Sequence, residues 1–595
     1  MVNSVLTGAE GPVRLTISSD GAALADSISV VSIDITKALN RIPVALLTFS
    51  DGDMPNKDFP LSNQAQLIPG ARLVVKLGYG DDEQQVFSGV VVKHSLSVRG
   101  NNQAELIVEC RDLIFAASLS RNNANFVDMK DSDIWQQLAA NYGVSCSATA
   151  TTEQHAELVQ YYCSDWDFML LRAEVNGMLL NADDGSLSIA PPDVSSEPVL
   201  KVTYGDDLLS FNASLDASQQ FNTVNAVSWD PASQQVQQQS ATPDAFSGQG
   251  NVSAANLASV ANLKQQLLQS NAPLSSDSLT SWAKAQQLKA ALSRIRGELR
   301  CQGSALLKPG VLVEVEGVGE RFNGKVFVSQ VRHSVTNGDW VSQVSFGMSA
   351  QWFAQSSDIS APAAAGVLPA VDGLQIGVVL KLDADPAGEQ RIQVKVPLLQ
   401  AQTEGVWARL LSFYASDGFG QYCVPEIGDE VILGYLNSDP CHPVILGSVY
   451  SSKRAPAYQH SAENNLKAFV SRSKLTLEFD EEKKKISLLT PAGNQVVLDD
   501  DSKSILLQDQ NGNKVELSEA GISLDSPKDI SLSAKGKISL QAVGNIELAA
   551  QADFSAQALN ISQEAKVGFS AKGNASAELS ASGQTTVKGA MVMIN

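Results

Sequence analysis

The C-terminal part of the chain alternates apolar and polar residues at a fixed spacing. Residues 521–548 read GISLDSPKDISLSAKGKISLQAVGNIEL, in which an apolar–polar–apolar triplet recurs every eight residues. Because successive side chains of a strand point to opposite faces, each triplet predicts a short strand with one apolar face. The predicted core positions of this segment are Ile522, Leu524, Ile530, Leu532, Ile538, Leu540, Ile546 and Leu548.

The same alternation extends upstream at intervals of about ten residues, with triplets that begin at Ile486, Val496, Ile505 and Val515. One octad supplies a strand and a corner, whereas a solenoid made from one chain needs rungs of ~20 or more residues to enclose a core. We therefore expect three chains to wind together into a triangular β-helix, in which strands pair with those of neighbouring chains and no sheet edge stays open.

Apolar residues return at the end of the chain, which reads VKGAMVMIN. One interpretation is a hydrophobic plug that closes the rod. The other is a blunt platform that docks a capping protein, because the terminal strand edges would otherwise be unpaired. The residues predicted to dock such a tip protein are Met591, Val592, Met593 and Ile594.

The first 350 residues are mostly strand-like and contain an internal echo. The stretch that begins PGARLVVKLGYG at residue 69 resembles the stretch that begins PGVLVEVEGVGE at residue 309. Chance similarity between hairpins is one explanation, since Pro-Gly and Phe-x-Gly are common turn elements. We favour a duplicated small barrel, of which three chains would present six similar copies. The corresponding positions are Pro69, Gly78, Gly80, Phe87, Gly89 and His94 with Pro309, Gly317, Gly319, Phe322, Gly324 and His333.

Changes of periodicity and composition along the chain predict its domain boundaries. Helical periodicity at 253–270 and 278–297 interrupts the strand pattern, and an Ala-, Pro-, Ser- and Gly-rich stretch then predicts a linker. We expect a mainly β protein, since strand patterns dominate every other part. The predicted domains are a hub of duplicated barrels with an α/β insertion at 1–355, a linker at 356–373, a compact β domain at 374–455, a second linker at 456–474 and the needle at 475–595.

Charge and hydropathy exclude several classes of protein. The apolar content of 44% fits folded domains, and a net charge of −21 argues against a nucleic-acid binder, which needs Lys and Arg to displace phosphate counterions. The N-terminus has no basic and apolar signal pattern, and apolar runs stay shorter than the ~18 residues of a membrane span. We expect synthesis in the cytoplasm without a signal peptide and no transmembrane segment.

No pattern of catalytic or metal-binding residues stands out. The six cysteines are far apart and the five histidines form no paired motif, so we expect reduced thiols, no metal and no cofactor. GVGERFNG has the wrong spacing for a dinucleotide loop, and DQNGN lacks the ligands of a calcium loop. Acidic pairs such as Asp383 with Asp385, or Glu426 with Glu430, are expected to be solvated or capping groups. We therefore expect no catalytic site and no enzyme activity.

Four stretches carry family-like motifs. In YYCSDWDFMLLRAEVNGMLL (161–180), an acidic–aromatic cluster of Asp165, Trp166 and Phe168 opens a predicted helix. The stretch after Pro309 is the second hub-like hairpin, and SRSKLTLEFDEE leads into the octads and the terminal MVMIN. The most specific motif spans 407–450 and comprises Trp407, Arg409, Pro425, Glu426, Gly428, Glu430, Val431, Asp439, Pro440, Pro443, Val444 and Gly447.

Together these motifs resemble the VgrG spike proteins of type VI secretion and related contractile injection systems, and they span nearly the whole chain. The resemblance implies an OB-fold at 374–455 that joins the hub to the needle. It also implies a homotrimer whose hub adapts the hexameric tail tube and baseplate to a three-fold spike, and a PAAR-repeat protein that caps the tip. Sheath contraction would drive this assembly, with effector cargo, through the target envelope.

A rival hypothesis is a trimeric phage-type tail spike or adhesin that binds or degrades a surface polymer. Residues 480–595 contain no Trp or Tyr with which to stack sugars, which disfavours it. The resemblance does not distinguish between three kinds of injection machine: a cell-anchored type VI system, a released extracellular particle or a phage tail. Since the sequence ends at Asn595 without a further domain, we expect effector cargo to be a separate protein, and the fired spike to be found outside the cell or in its target.

Overall fold

The computed structural model describes residues 2–100, 103–243, 248–263, 265–356, 358–399 and 405–594. The chain forms two compact units, Met1–Val449 and Tyr450–Asn595. Unit 1 is built mainly from strands, as the sequence pattern predicts, and strands are the regular elements of the first part of unit 2.

The first strands of unit 1 alternate buried and exposed side chains, because one face of their sheet covers a core. They are β1 Val13–Ser19, β2 Ala22–Ala23, β3 Val30–Ala38, β4 Val44–Ser50, β5 Arg72–Tyr79, β6 Asp82–Arg99 and β7 Gln103–Arg111. In β3 the alternation places Ile33, Ile35 and Lys37 on the buried face. A buried ammonium group needs a partner, and Lys37 Nζ forms ion pairs with Asp183 and Asp184.

An α/β insertion follows, with its own hydrophobic core. Its elements are β8 Arg121–Lys130, α1 Asp131–Ala140, β9 Ser145–Ala148, β10 Gln154–Ser164, α2 Asp165–Val175, β11 Leu179–Asp183 and β12 Ser186–Ala190. Helix α2 begins at the predicted acidic–aromatic cluster, where Ser164 Oγ accepts a hydrogen bond from Asp167 N at 3.1 Å. Trp166 and Phe168 are buried in the insertion core, which confirms the predicted helix start.

The rest of the hub alternates strands with helices. The elements are β13 Leu200–Thr203, β14 Leu208–Leu215, β15 Val224–Asp230, β16 Gln235–Ala241, α3 Ala254–Ala258, β17 Gln266–Ser270, α4 Ser276–Ser293, β18 Ile295–Gln302, β19 Leu312–Glu316, β20 Gly324–Thr336 and β21 Asp339–Phe346. The helix predicted around 278–297 is α4. The helix predicted at 253–270 is wrong beyond α3, because Gln266–Ser270 pairs in parallel with β15 as a strand.

One sheet runs through the hub. Among the described residues it has thirteen strands, in the order β14-β18-β21-β20-β3-β4-β7-β6-β5-β1-β2, with β19 and β13 attached beside β20. This sheet covers two separate hydrophobic clusters, one against β1 and β3–β7 and the other against β13, β14 and β18–β21. The strands of the two similar units therefore pair within one continuous sheet. The sequence instead predicts that each unit forms a small barrel.

The echoed hairpins β5–β6 and β19–β20 are each preceded by a Pro-Gly whose glycine makes the same kind of backbone hydrogen bond. Gly70 N donates a hydrogen bond to Val91 O at 2.9 Å, and Gly310 N donates one to Val328 O at 2.8 Å. Both glycines have positive φ, which a Pro-Gly entry requires. The two hairpins thus start with the same backbone geometry.

The echoed histidines also match, whereas the echoed Phe-x-Gly glycines do not. His94 Nδ1 lies 3.0 Å from Leu67 O, and His333 is hydrogen-bonded to the backbone of Leu307; each leucine lies two residues before its Pro-Gly. However, Gly89 pairs with the residue four positions after Pro69, and Gly324 with the residue six positions after Pro309. The alignment of these two glycines is therefore wrong by two residues.

The predicted β domain at the end of unit 1 is a closed barrel, as expected for an OB-fold. Its strands are β22 Gln375–Lys381, β23 Ile392–Lys395, β24 Val406–Leu410, β25 Glu430–Tyr435 and β26 Pro443–Ser448, closed in the order β22-β23-β24-β26-β25. Short 3-10 helices in unit 1 are Ala65–Leu67, Leu113–Ser118, Phe353–Gln355, Ala363–Gly366, Pro397–Leu399 and Leu436–Ser438. The residues 401–404, beside β24, lie outside the described residues.

Unit 2 begins with an antiparallel meander within one chain. Its strands are β27 Leu466–Val470, β28 Thr476–Asp480, β29 Lys485–Leu489, β30 Gln495–Asp499, β31 Ser504–Gln508, β32 Lys514–Ser518 and β33 Gly521–Asp525. Each strand pairs with the next one in the sequence. The spacing of the triplets instead predicts pairing between chains. From 526 to 594, all of which is described, the chain forms no strand with itself.

Burial of His333 makes hub stability depend on pH. Burial, and then the nearby Lys37 charge, lowers the pKa of His333 from 6.5 to about 3. Between these values the unfolded chain binds a proton that the folded hub does not, so stability falls as pH decreases. From pH 7 to pH 5 we expect a loss of ~2 kcal/mol in the free energy of unfolding of the Gly324–Phe346 hairpin, measured by hydrogen exchange in urea.

The variant His333→Asn tests the assignment, because asparagine carries no titrating proton in this range. We expect its hairpin to lose clearly less stability over the same pH interval. An equal loss in both proteins would show that other groups cause the pH dependence.

Candidate trimerisation face and tip

The meander carries two adjacent columns of apolar side chains on one face. Strand register sets the columns, since Leu477 pairs with Leu488 and Phe479 with Ile486, and this spacing repeats to β33. We call these residues the apolar stripe: Phe479, Ile486, Leu498, Ile505, Leu517 and Ile522 in one column, and Leu477, Leu488, Val496, Leu507, Val515 and Leu524 in the other.

Burial in β29 is inverted relative to a soluble sheet. Ser487 is 3% exposed, whereas the flanking Ile486 and Leu488 are 39% and 49% exposed. The face of Ser487, which also carries Val497 and Leu506, is approached by the preceding linker, where Tyr458 OH donates a hydrogen bond to Glu478 Oε2 at 2.5 Å. The chain thus shields a polar position and leaves apolar side chains in water, which is typical of an unfilled interface.

The turns of the meander show why the stripe stays in register. Residues with positive φ recur every nineteen residues at Lys474, Gly493 and Gly512 on one edge, and at Lys484 and Lys503 on the other. A hairpin repeat of this length returns each strand to the same face, since two strands and two turns recur as one unit. The repeat therefore keeps both columns of the stripe continuous.

Hydrogen bonds also connect successive turns on one edge. Asn494 Oδ1 accepts from Gln510 N at 3.0 Å, and Asn513 Oδ1 accepts from Ser526 Oγ at 2.6 Å, nineteen residues later. In the DQNGN turn, hydrogen bonds from the Asn513 and Asn511 side chains lower the pKa of Asp509 to about 2. Asp509 accordingly acts as the acceptor that closes this turn.

The predicted core residues of the octads fall into two groups. Ile522 and Leu524 lie in β33 and form the last rung of the stripe. The other six lie between 526 and 594, where the chain has no strand partner of its own. All eight side chains are more than half exposed in the single chain. Their burial by neighbouring chains would contribute about 1.5–3 kcal/mol each before entropy.

The tip residues are exposed as well. Met591, Val592, Met593 and Ile594 are each at least half exposed, and Asn595 lies outside the described residues. Four adjacent apolar side chains in water form a patch that favours contact with a partner.

The OB-like motif residues lie in the strands and turns of the barrel. Trp407 and Arg409 flank the buried Ala408 in β24, Val431 is buried in β25, and Asp439 Oδ1 accepts from Cys441 N at 2.8 Å in the turn before β26. These residues build the barrel wall and its turns.

The acidic and sulfur groups support structure in the part of the chain that is described. Arg391 donates to both oxygens of Asp385, at 2.7 Å from Nη2 to Oδ1, and holds the pKa of Asp385 well below its ordinary value. Burial raises the pKa of Cys110 and Cys301 to about 12, so both thiols stay protonated. Over the described ranges, no group of three or more His, Cys, Asp or Glu side chains could hold a metal ion.

Across the described residues, every helix is too short or too polar to cross a bilayer.

Family models cover most of the chain. Residues 9–337 match the model described as Alg8 N-terminal domain. Residues 375–450 match the type VI secretion system/phage-baseplate injector OB domain, and residues 485–552 match the phage baseplate V C-terminal trimerisation domain. The third match covers the meander from β29 onward and the octads up to Ala552.

Curated relatives are similar over short stretches. The type VI secretion system spike protein VgrG1b of Pseudomonas aeruginosa is 32% identical over 117 residues, which cover 18% of this chain and 15% of that protein. Spike protein VgrG3 of Vibrio cholerae is 30% identical over 101 residues, or 15% and 10%. The actin cross-linking toxin VgrG1 of Vibrio cholerae is 31% identical over 101 residues, or 15% and 9%. The chain matches less than a fifth of the length of these relatives.

Some solved structures align with this chain at low identity and low TM-score. The E. coli c3393 protein, described as a component of the type VI secretion system, is 13% identical and covers 73% of this chain and 99% of its own, with a TM-score of 0.37. The half-lidded Francisella PdpA–VgrG complex contains a chain that is 9% identical and covers 88% of this chain and 89% of its own, also with a TM-score of 0.37.

Charges on the core positions of the octads should prevent association. We expect Ile530→Asp combined with Ile538→Asp to abolish the oligomer, because three chains would bring six carboxylates into one dry core. The matched control is Ser531→Asp combined with Ser539→Asp, which places the same charges on the alternate face. Sedimentation of both proteins tests this; loss of the oligomer in both would mean that octad charge, and not the apolar face, controls assembly.

Proposed function

Because the chain belongs to the Alg8 N-terminal domain family and to the VgrG-type spike proteins of contractile injection systems, we propose that it forms a trimeric central spike. One observation carries the proposal: the octad core positions and eight of the twelve residues of the apolar stripe are exposed in a single chain, and the other four stripe residues are partly exposed. The trimerisation domain matched at 485–552 lies on this same segment.

Three chains can bury the apolar side chains of the exposed segment and pair its backbone, whereas two chains cannot. Each octad supplies one strand, and three strands per rung close a triangular prism with every apolar column inside. The open backbone of 526–594 then pairs with neighbouring chains, which removes the cost of unpaired strand edges. The needle is accordingly stiff along its length and narrow in cross-section.

The remaining parts of the proposal follow from this assembly. We assign the predicted boundaries to a hub at 1–355, an OB-fold domain at 374–455 and a needle at 475–595. Two echoed hairpins in each of three chains give six similar elements, which suits contact with a hexameric tail tube and baseplate. A PAAR-repeat protein would cap the tip at Met591–Ile594, and effector cargo would travel with the assembly.

The mechanism of the proposed spike is mechanical. The contracting machine supplies force, and the needle transmits it to a small area of the target envelope. We propose no catalytic step for this chain: Asp385 closes a turn through Arg391, and the curated relatives on the shared stretches are mostly named spike proteins. The spike would be made in the cytoplasm and reach the exterior or the target cell on firing.

The mass of the purified chain tests trimer formation. We expect light scattering to give about three times 63.1 kDa, and the species to survive cold 0.1% SDS, because an intertwined needle has no edge at which detergent can separate the chains. A monomer in plain buffer would contradict the proposal, and the octads would then need another partner.

The tip assignment has a separate test. We expect Met591→Asp combined with Met593→Asp to abolish capture of a PAAR-repeat protein and to leave the trimer intact, because the changes lie beyond the last octads. The control is Ser580→Asp combined with Ser582→Asp, which adds the same charge closer to the hub. Equal capture by all proteins would place the docking surface elsewhere.

A further inference from the structure

A polar cavity lies in the hub. It has a volume of about 470 Å³ and lies between the edge strand β17, helix α4, the loop at 216–219 and the segment at 349–355. This volume lies within the range of about 300–1,000 Å³ that small-molecule sites occupy. The trimerisation domain does not include any of these segments.

Glutamines dominate the lining. Gln219, Gln266, Gln286, Gln351 and Gln355 border the cavity together with Trp352. A glutamine amide carries an NH₂ donor and a carbonyl acceptor side by side. Gln286 is buried and its Oε1 accepts from Trp352 Nε1, so the complement to a ligand comes from the other four glutamines. Their amides suit a ligand whose neighbouring groups each donate and accept, as vicinal hydroxyls do.

The charges at the cavity cancel. Arg296 and Asp216 are the charged lining residues among those described, and Arg296 Nη2 lies 3.8 Å from Asp216 Oδ2. The protein as a whole is strongly acidic, yet this site offers one charge of each sign. An uncharged ligand therefore fits it better than an anion or a cation.

Trp352 is held in place on the cavity wall. Its Nε1 donates to Oε1 of the buried Gln286 at 2.5 Å, and Lys289 Nζ lies 4.9 Å from the ring centroid. Lys289 in turn pairs with Glu174, whose second oxygen accepts from Phe353 N at 2.8 Å. These contacts fix the indole before any ligand binds, which reduces the entropy lost on binding.

We propose that this cavity binds a neutral saccharide. The C–H faces of a sugar ring are apolar and suit an indole, whereas its hydroxyls match the paired donors and acceptors of the glutamines. An extended peptide would use the amides too, but it carries no run of vicinal hydroxyls to occupy several glutamines at once. The inference concerns the hub alone and does not depend on the proposed spike function.

Calorimetric titration of the full-length chain tests the site. The probes are maltose, cellobiose and N,N′-diacetylchitobiose, with gluconate as a charged comparison. We expect at least one disaccharide to bind saturably and gluconate to bind more weakly. The rim variant Gln351→Ala combined with Gln355→Ala should weaken that disaccharide about tenfold or more, since each lost hydrogen bond removes about 0.5–1.5 kcal/mol.

The control is Gln235→Ala combined with Gln238→Ala, which removes two exposed glutamines from β16 outside the cavity. This control should bind as the unmodified chain does. No saturable binding of any disaccharide, or equal weakening by rim and control variants, would overturn the proposal and assign the cavity to water. Light scattering on the same samples shows whether the trimer is intact, so the two proposals fail independently.

Discussion

Backbone pairing is the constraint on which the C-terminal unit depends. Every strand residue carries a donor and an acceptor that need partners. Up to Asp525 the chain supplies them itself, because turns of two to five residues bring each strand back beside the previous one. From 526 to 594 the chain forms no strand with itself, so we infer that these partners come from other chains. The proposed trimer follows from this loss of pairing within the chain.

The hub satisfies its buried groups in a different way. Lys37 faces the core because strand alternation places it there, and the hairpin β11–β12 supplies Asp183 and Asp184 to meet it. Burial acts to raise the pKa of Asp183, but Lys37 and Lys308 outweigh it and the pKa is lowered. An ion pair so enclosed contributes more to fixing the position of the insertion on the sheet than to net stability.

Period and local chemistry were readable from the sequence, and long-range pairing was not. The strands of the meander follow from spacing and the helix opened at Asp165 from capping, whereas the OB-type barrel was implied by the resemblance of its motif. The strand at Gln266–Ser270 reads as a helix because Leu267 and Leu268 fit a helical period, and only its parallel pairing with β15 decides otherwise. The nineteen-residue repeat was visible in Gly493–Asn494 and Gly512–Asn513, but the triplets alone concealed it. The cavity at Trp352 joins segments more than a hundred residues apart, which no local pattern could reveal.

The meander also sets an order of events in time. Its strands meet neighbours only about ten residues away along the chain, so its contact order is very low, and such folds form within microseconds to milliseconds. The octads cannot begin until three chains meet, which is a concentration-dependent step. A newly made chain therefore presents a finished ribbon whose last strand, Gly521–Asp525, is an edge strand next to the octads. Once three ribbons collide, elongation toward the tip is unimolecular, and its rate no longer depends on how many chains the cell contains.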